Sequence, residues 1–484
     1  VWKCEMMISV ILISLVLFLL SAQFLNLQWK SRGFPPGPTP FPIIGSIWWI
    51  NFRADHGSLK KLAKTYGNIC TLWMGHRPMV VLYGTQTHSR AAWDSFCPTG
   101  TLDLKKLIAD WLKPIFHSHF GILVSNGLIW KQQRHFGIGT LRKLGMGNKG
   151  MERGIQTEAH YLVEFFRDKE GEAVDPSFPI VHAVSNVICA VVFGHRFSLE
   201  DKTFRQLIEH ALNISFIEVF PWFVEHLPGP LRTAKISRDF VHSFVRQEIK
   251  SHREKGRTDE PEDFIDFYLK QIEKTKKVPS STFDEDNMVQ SVFDLFLGGS
   301  ETTATTLRWA LLYMLVYPDI QDKVQRELDT VLSPSHLICY EDRKKLPYTN
   351  AVIHEILRFS SIILITLPRE AVKDTTLLGY HVPKVQISSL FDPAYWETPH
   401  QFNPSHFLDK GGNFVTREAF LAFSAGHRVC LGETIAKMEL FIMFCSLLQK
   451  FKFTVPEGVK EINTDIIFGS TMKPHPYKLC AVLR

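Results

Sequence analysis

The chain has 484 residues and a mass of 55.6 kDa, with 45% hydrophobic and 21% charged residues, which excludes an intrinsically disordered protein and allows a core large enough to enclose a cofactor. The formal net charge of +6 is mild for this length. With no finger, basic helix or arginine-rich tail it excludes a nucleic-acid binder, and it fits a weak basic patch for an acidic partner or an anionic membrane. The eight cysteines (Cys4, Cys70, Cys97, Cys189, Cys339, Cys430, Cys445 and Cys480) are scattered, with no CxxC pair. That is neither a disulfide framework nor a zinc-finger pattern; it reads as a reducing compartment in which one thiol carries chemistry.

From Met6 to Leu20 the chain reads MMISVILISLVLFLL, without a charge. About 20 such residues can cross a bilayer as a helix. Residues 1–30 therefore read as an uncleaved membrane anchor. A cleaved signal peptide competes: Leu20-Ser21-Ala22 is a passable cleavage context, but the apolar run is long and its start barely basic. Lys3 precedes the run while Lys30 and Arg32 follow it, so charge alone does not orient the helix. Phe34-Pro35-Pro36-Gly37-Pro38-Thr39-Pro40 then forms a stiff, non-helical hinge over residues 31–40. Residues 41–484 form the main domain.

That domain shows no internal repeat. Apolar spacing of three and four predicts helices over His56–Tyr66, Arg153–Arg167, Thr203–Leu212, Arg238–Arg253, Pro261–Lys274, Asp286–Val316, Pro318–Leu328, Tyr348–Phe359 and Gly432–Phe451. Short strands are predicted near Ile69–Met74, Pro78–Leu82 and Tyr380–Val382. The fold class is mainly α with small β-sheets. The longest helix is informative: from Met288 to Tyr317 only Asp294, Glu301 and Arg308 are charged. At 1.5 Å per residue it spans roughly 45 Å and reads as the central beam of a large core. Around Ser300–Thr306 it is too polar for an ordinary second membrane span. The run Lys274–Lys277 reads as a solvated face.

Four segments carry candidate chemistry. In Asn126-Gly127-Leu128-Ile129-Trp130-Lys131-Gln132-Gln133-Arg134, Trp130 and Arg134 are four apart and can face one group from a helix; alone, they read as a surface aromatic–basic contact. Gly298-Gly299-Ser300-Glu301-Thr302-Thr303 places two glycines inside a helix, at about 1 kcal/mol each relative to alanine. They need a reason, either a packing notch or an opening beside a ligand. In Glu355-Ile356-Leu357-Arg358 the two charges share a helix face. In Phe423-Ser424-Ala425-Gly426-His427-Arg428-Val429-Cys430-Leu431-Gly432-Glu433 a glycine-flanked cysteine precedes a long helix, whose unpaired N–H groups and positive dipole end favour thiolate over thiol.

Phe423-x-x-Gly426-x-Arg428-x-Cys430-x-Gly432 resembles the haem-binding signature of the cytochrome P450 superfamily. With the anchor, the proline hinge and the closing Pro474-His475-Pro476-Tyr477-Lys478-Leu479-Cys480, the chain resembles a vertebrate microsomal member of family 2, with phrases similar to its subfamily J. The resemblance implies the cytochrome P450 fold and haem b, with Cys430 as the axial thiolate to iron. It implies Arg428, Trp130, Arg134 and Arg369 as haem propionate partners, Thr302 as proton relay beside dioxygen, and Glu301 on the proton route. It implies a structural triad of Glu355, Arg358 and His406 behind the cysteine loop.

The implied reaction is insertion of one oxygen atom of O₂ into a lipophilic substrate (a polyunsaturated fatty acid, drug or other xenobiotic) by hydroxylation or epoxidation. NADPH serves indirectly, through NADPH–cytochrome P450 reductase, with cytochrome b5 as a second partner. Lys131, Arg134, Arg142, Lys143, His427 and Lys437 are candidates for the basic docking face. The implied place is the endoplasmic reticulum membrane, single-pass, with the catalytic domain cytosolic. Apolar residues Ile108, Leu112, Phe116, Phe296, Leu297, Ile363, Leu364 and Ile365 would line the pocket. The 219–230 segment, rich in aromatics, either dips into the membrane or packs on the domain. The competing functions are a haem-thiolate isomerase or dehydratase working without a reductase, and an inactive membrane haem protein.

Two features depart from the family. Residues 385–391 are about six residues shorter than relatives, which is expected to unpair a strand of the main sheet. Either the fold compensates for that loss, or the short stretch and the start at Val1 instead of Met together mark an imperfect gene model.

Overall fold

Two helices of thirty residues or more have opposite surfaces. Trp2–Ser31 exposes its apolar side chains on every side from Met6 to Leu19. Glu285–Val316 is buried over most of its length. The first is, among the described residues, the one helix long and apolar enough to cross a membrane. The structure is a computed structural model that describes residues 2–50, 56–83, 120–123, 125–146, 149–217, 228–256, 260–363, 369–370, 375–377, 379–382, 386–390, 396–467, 469 and 471–484. The chain divides into two units: residues 1–103, 364–395 and 424–427, and residues 104–363, 396–423 and 428–484.

The first unit holds α1 (Trp2–Ser31), α2 (His56–Tyr66) and a four-stranded sheet. β1 (Ile69–Met74) and β2 (Arg77–Tyr83) form an antiparallel hairpin, and β4 (Thr375–Leu377) with β5 (Tyr380–Val382) forms a separate one. The proline-rich segment is tied to β1: Thr71 N–H donates to the Pro36 carbonyl at 3.0 Å and Thr71 Oγ1 to that of Pro35 at 2.9 Å. Gly37 lies so close that an added Cβ would meet the Thr71 carbonyl oxygen at 2.0 Å.

The sheet corrects one expectation. The shortened stretch still contains β6 (Gln386–Leu390), which pairs in parallel with β2 from Met79↔Gln386 to Tyr83↔Leu390. β3 (Arg369–Glu370) pairs antiparallel on its other edge, so the order is β1-β2-β6-β3. Five residues suffice because strand pairing needs only a run of extended backbone with the right register.

The second unit is helical. It contains α3 (Gly127–Lys143), α4 (Lys149–Arg167), α5 (Ser177–Phe193), α6 (Lys202–Ile217), α7 (Pro228–Lys255), α8 (Phe264–Thr275), α9 (Glu285–Val316), α10 (Pro318–Val331), α11 (Pro347–Ser360) and α12 (Glu433–Lys450). Small hairpins pair β7 (Phe451–Thr454) with β10 (Cys480–Leu483), and β8 (Ile466–Ile467) with β9 (Lys473–Pro474). Helix starts follow capping chemistry. The Asp284 side chain accepts the Asn287 N–H at 2.7 Å ahead of α9, and proline opens α10 and α11. α7 starts well before the expected Arg238, because prolines 228 and 230 sit in a first turn, where a missing N–H costs nothing.

α5 lies outside the predicted set. Fourteen of its residues are buried, from Pro179 to Phe193, including the polar His182, Ser185 and Asn186. A helix buried all round has no amphipathic stripe for periodicity to find. It packs on α9, the helix that carries the candidate oxygen-side residues.

Two buried carboxyl groups flank this beam. Asp294 on α9 accepts the N–H groups of Ile122 (2.7 Å) and Leu123 (2.8 Å), tying the segment ahead of α3 to the beam. Burial raises its pKa to about 6. Glu439 on α12 hydrogen-bonds Thr303 on α9, and burial pushes its pKa up to about 8. The folded state keeps a proton on Glu439 that the unfolded chain releases near its ordinary value of 4.5. Glu439 therefore makes stability fall as pH rises from about 4.5 to about 8, by at most roughly 1.4 kcal/mol per unit. Glu439→Gln is expected to flatten that slope and to gain on the native protein between pH 5 and pH 7.5, as read by urea unfolding; parallel slopes would contradict the assignment.

Candidate active site

The cysteine loop closes on itself. Cys430 N–H donates to the Phe423 carbonyl at 3.0 Å, and the turn between them uses left-handed backbone at Ser424 (φ 64°) and Gly426 (φ 72°). Glycine takes that conformation freely, whereas serine holds it only under constraint. α12 starts three residues after Cys430, so the N–H groups of Gly432 and Glu433 reach its sulfur. Cys430 is exposed, yet protein walls it closely enough that desolvation is the strongest influence and raises its thiol pKa. The two N–H groups and the Arg134 charge oppose that rise, while the Glu433 charge adds to it.

Trp130, Arg134 and Arg428 gather beside this loop. The Arg428 guanidinium lies 4.1 Å from the Trp130 ring centroid and that of Arg134 lies 5.8 Å from it. Arg134 Nη2 donates to the Val429 carbonyl at 2.6 Å, and Arg428 Nη2 to the Ser125 carbonyl at 2.9 Å. The Trp130 indole N–H is buried without a hydrogen-bond partner among the described residues, as is the Asn126 side-chain N–H₂. Two cations and a buried, partnerless donor suit a bound anionic group such as a carboxylate. An accessible cysteine, helix N–H groups aimed at its sulfur and this donor cluster fit a haem with propionates. Arg369 is different: its backbone pairs with Ile387 in β3, while its side chain lies outside the described residues.

On α9, every residue from Asn287 to Leu307 is buried except Gly298, Gly299 and Thr302. Gly298 and Thr302 are one turn apart, and the Thr302 hydroxyl donates to the Gly298 carbonyl at 2.8 Å. The two glycines separate by role. A Cβ on Gly298 would meet nothing within 4 Å, whereas one on Gly299 would meet Ile188 of α5 at 3.0 Å. Gly299 is thus the packing notch, and Gly298 opens onto accessible space.

Glu301 is 4% exposed. Its Oε1 accepts from Thr471 Oγ1 at 2.9 Å and pairs with Lys473 Nζ at 2.6 Å. Neither partner was in the sequence expectation, because both come from a hairpin 170 and 172 positions away that has no motif of its own. Phe296 is 1% exposed and packs in the core; Ile363 is at the surface. Ile108, Leu112, Phe116, Leu364 and Ile365 lie outside the described residues, as does most of the 219–230 segment.

Glu355, Arg358 and His406 come together. Arg358 donates twice to the Glu355 carboxylate, from Nε and Nη2, each at 2.7 Å. His406 Nδ1 lies 3.2 Å from both carboxylate oxygens, and the Asn403 N–H donates to one at 2.7 Å. Glu355 and His406 have wholly buried side chains. Among the basic candidates, Lys131 and Arg142 are exposed, whereas Lys437 is ion-paired with Glu433 at 2.7 Å and so is less free to dock a partner.

The family model for cytochrome P450 matches residues 35–481. Cytochrome P450 2J2 of Homo sapiens is 40% identical over 487 residues, covering 98% of this chain and 95% of its own. Cytochrome P450 2K1 of Oncorhynchus mykiss is 39% identical over 475 residues (93% and 92%), and cytochrome P450 2H2 of Gallus gallus 38% over 487 residues (95% and 96%). The chain belongs to the cytochrome P450 family, and its similarity is to the family 2 members. It is a haem monooxygenase that acts on lipophilic substrates; the isomerase, dehydratase and inactive readings gain no support.

The split between the glycines is testable. Gly298→Ala is expected to stabilise the fold by up to about 1 kcal/mol, the helix-propensity gain of a Cβ placed in open space. Gly299→Val is expected to cost about 1–3 kcal/mol by overpacking against Ile188. Denaturant midpoints of the two variants check this, and equal shifts would remove the distinction.

Proposed function

We propose that this protein hydroxylates or epoxidises polyunsaturated fatty acids, drugs or similar xenobiotics at the endoplasmic reticulum membrane, with residues 1–30 as a single-pass anchor and the catalytic domain cytosolic. The observation that carries the site reading is the accessible Gly298–Thr302 window on an otherwise buried stretch of α9, in the same unit as the accessible Cys430 and on a helix packed against α12. NADPH–cytochrome P450 reductase supplies electrons from NADPH, with cytochrome b5 as a second partner. The mild positive charge supports docking of acidic partners.

When bound, haem b supplies the oxygen activation and insertion. The protein's residues hold and serve it. Cys430 provides the thiolate, with the Gly432 and Glu433 N–H groups to stabilise negative charge on sulfur. Trp130, Arg134, Arg428 and Arg369 receive the propionates. Thr302 holds a hydroxyl proton at the accessible face of α9, with the Gly298 carbonyl as its resting acceptor. Glu301 is the acid behind it, and Lys473 keeps that carboxylate turned toward β9. Glu355, Arg358 and His406 fix the loop around Asn403 and so brace the region leading to the cysteine loop.

Turnover of a polyunsaturated fatty acid with reductase, NADPH and isotopically labelled dioxygen tests the reading. One labelled oxygen in the product is expected, and an unlabelled or NADPH-independent product would oppose it. Thr302→Ala is expected to lower product per NADPH by on the order of tenfold or more, with peroxide released instead. Retained coupling would remove Thr302 from proton supply. Lys473→Met removes the cation that holds the buried Glu301 carboxylate toward β9. Product per NADPH is expected to fall in this variant and to return in Lys473→Arg; unchanged coupling in Lys473→Met would separate Glu301 from the proton route.

A further inference from the structure

We propose that His336, Cys339 and Asp342 form a binding site for a single divalent cation of the zinc type, apart from the haem region. The three donors come from one short stretch, spaced three residues apart, on the connection between α10 and α11. One ligand atom from each lies within 4.8 Å of the others. His336 Nε2 is 2.8 Å and Cys339 Sγ 3.1 Å from Asp342 Oδ2. Zinc bonds of about 2.0–2.3 Å in a tetrahedral site put neighbouring ligand atoms roughly 3.3–3.6 Å apart, so the two pairs that share Asp342 Oδ2 need to spread by about 0.5 Å, while the His336–Cys339 pair already lies within 4.8 Å. Nitrogen, thiolate sulfur and carboxylate oxygen together suit zinc or cadmium and not magnesium or calcium.

The loop is held in place by groups outside the triad. Gln156 on α4 donates to the Ile338 carbonyl at 2.8 Å, and the Tyr340 N–H donates to Glu152. From α12, Gln449 donates to the His336 carbonyl at 3.2 Å and Lys450 to the Pro334 carbonyl at 2.6 Å. The ligands are thus presented from a backbone braced on two helices, which lowers the ordering cost of binding. Asp342 is buried while His336 and Cys339 are partly exposed, so an ion has an approach from solvent and water can complete its coordination. Arg343 and Lys344, the nearest cations in sequence, pair with Glu341.

The same contacts also act as a cap, since Asp342 Oδ2 accepts the Cys339 N–H at 2.9 Å. A cap needs neither a thiol nor an imidazole, so the test variants leave Asp342 alone. On binding, the Cys339 S–H proton goes to solvent and the His336 Nε2 proton, now held toward Asp342, passes through solvent to Nδ1; metal–sulfur and metal–nitrogen bonds form in their place, and no redox change is involved.

The test uses the haem-loaded full chain. Equilibrium dialysis against Zn²⁺ is expected to show one equivalent bound, and Cd²⁺ to give an ultraviolet thiolate-to-cadmium charge-transfer band. Cys339→Ser should abolish the band, and both His336→Ala and Cys339→Ser should weaken binding at least roughly tenfold. An unchanged haem spectrum in each variant reports an intact fold. Wild-type affinity in both variants, or bound cadmium without a thiolate band, would overturn the proposal.

Discussion

The arrangement depends on satisfying one wholly buried carboxyl group, that of Glu355. It carries two bonds from Arg358, one from the Asn403 N–H and close contacts to His406. Such a group left without partners would cost several kcal/mol, so α11 and the loop around residues 398–406 are bound to one geometry. Arg358 extends the network to the Pro399 and Gln401 carbonyls, and Thr398 reaches His406. The network shapes a loop that has little regular structure of its own. It lies in the chain just ahead of the segment that presents Cys430.

A second constraint acts along α9. A helix this buried must satisfy or hide most of what is polar on it, and several of its polar and glycine positions have an identifiable use. Asp294 anchors the segment that leads into the Trp130 helix. Glu301 is met by Thr471 and Lys473. Gly299 makes room for Ile188, and Gly298 with Thr302 leaves the helix accessible at one place. Packing and chemistry are thus separated residue by residue on adjacent positions.

Much of this was legible in the sequence because it is local. The spacing in Glu355–Arg358, in Trp130–Arg134 and in the cysteine loop sets which side chains share a face, and a long apolar run marks α9 and α1. The glycine pair was legible only as a choice between notch and opening; the structure gives each glycine one of the two. What stayed hidden is non-local or lacks a period. Lys473 reaches Glu301 across the chain, and α5 is buried on all sides. The expectation that the short 385–391 stretch would unpair the sheet failed because the residues that remain form a strand against β2. Length was a poor guide there, and register a better one.

The central claim is that Cys430, in this chain, serves as the thiolate ligand of a haem. The most direct measurement is the carbon-monoxide difference spectrum of the reduced full-length protein beside Cys430→Ser. The account requires the red-shifted Soret band of thiolate ligation in the native chain and its loss, with haem retained, in the variant. The same band in both proteins, or bound haem without it in the native chain, would contradict the assignment.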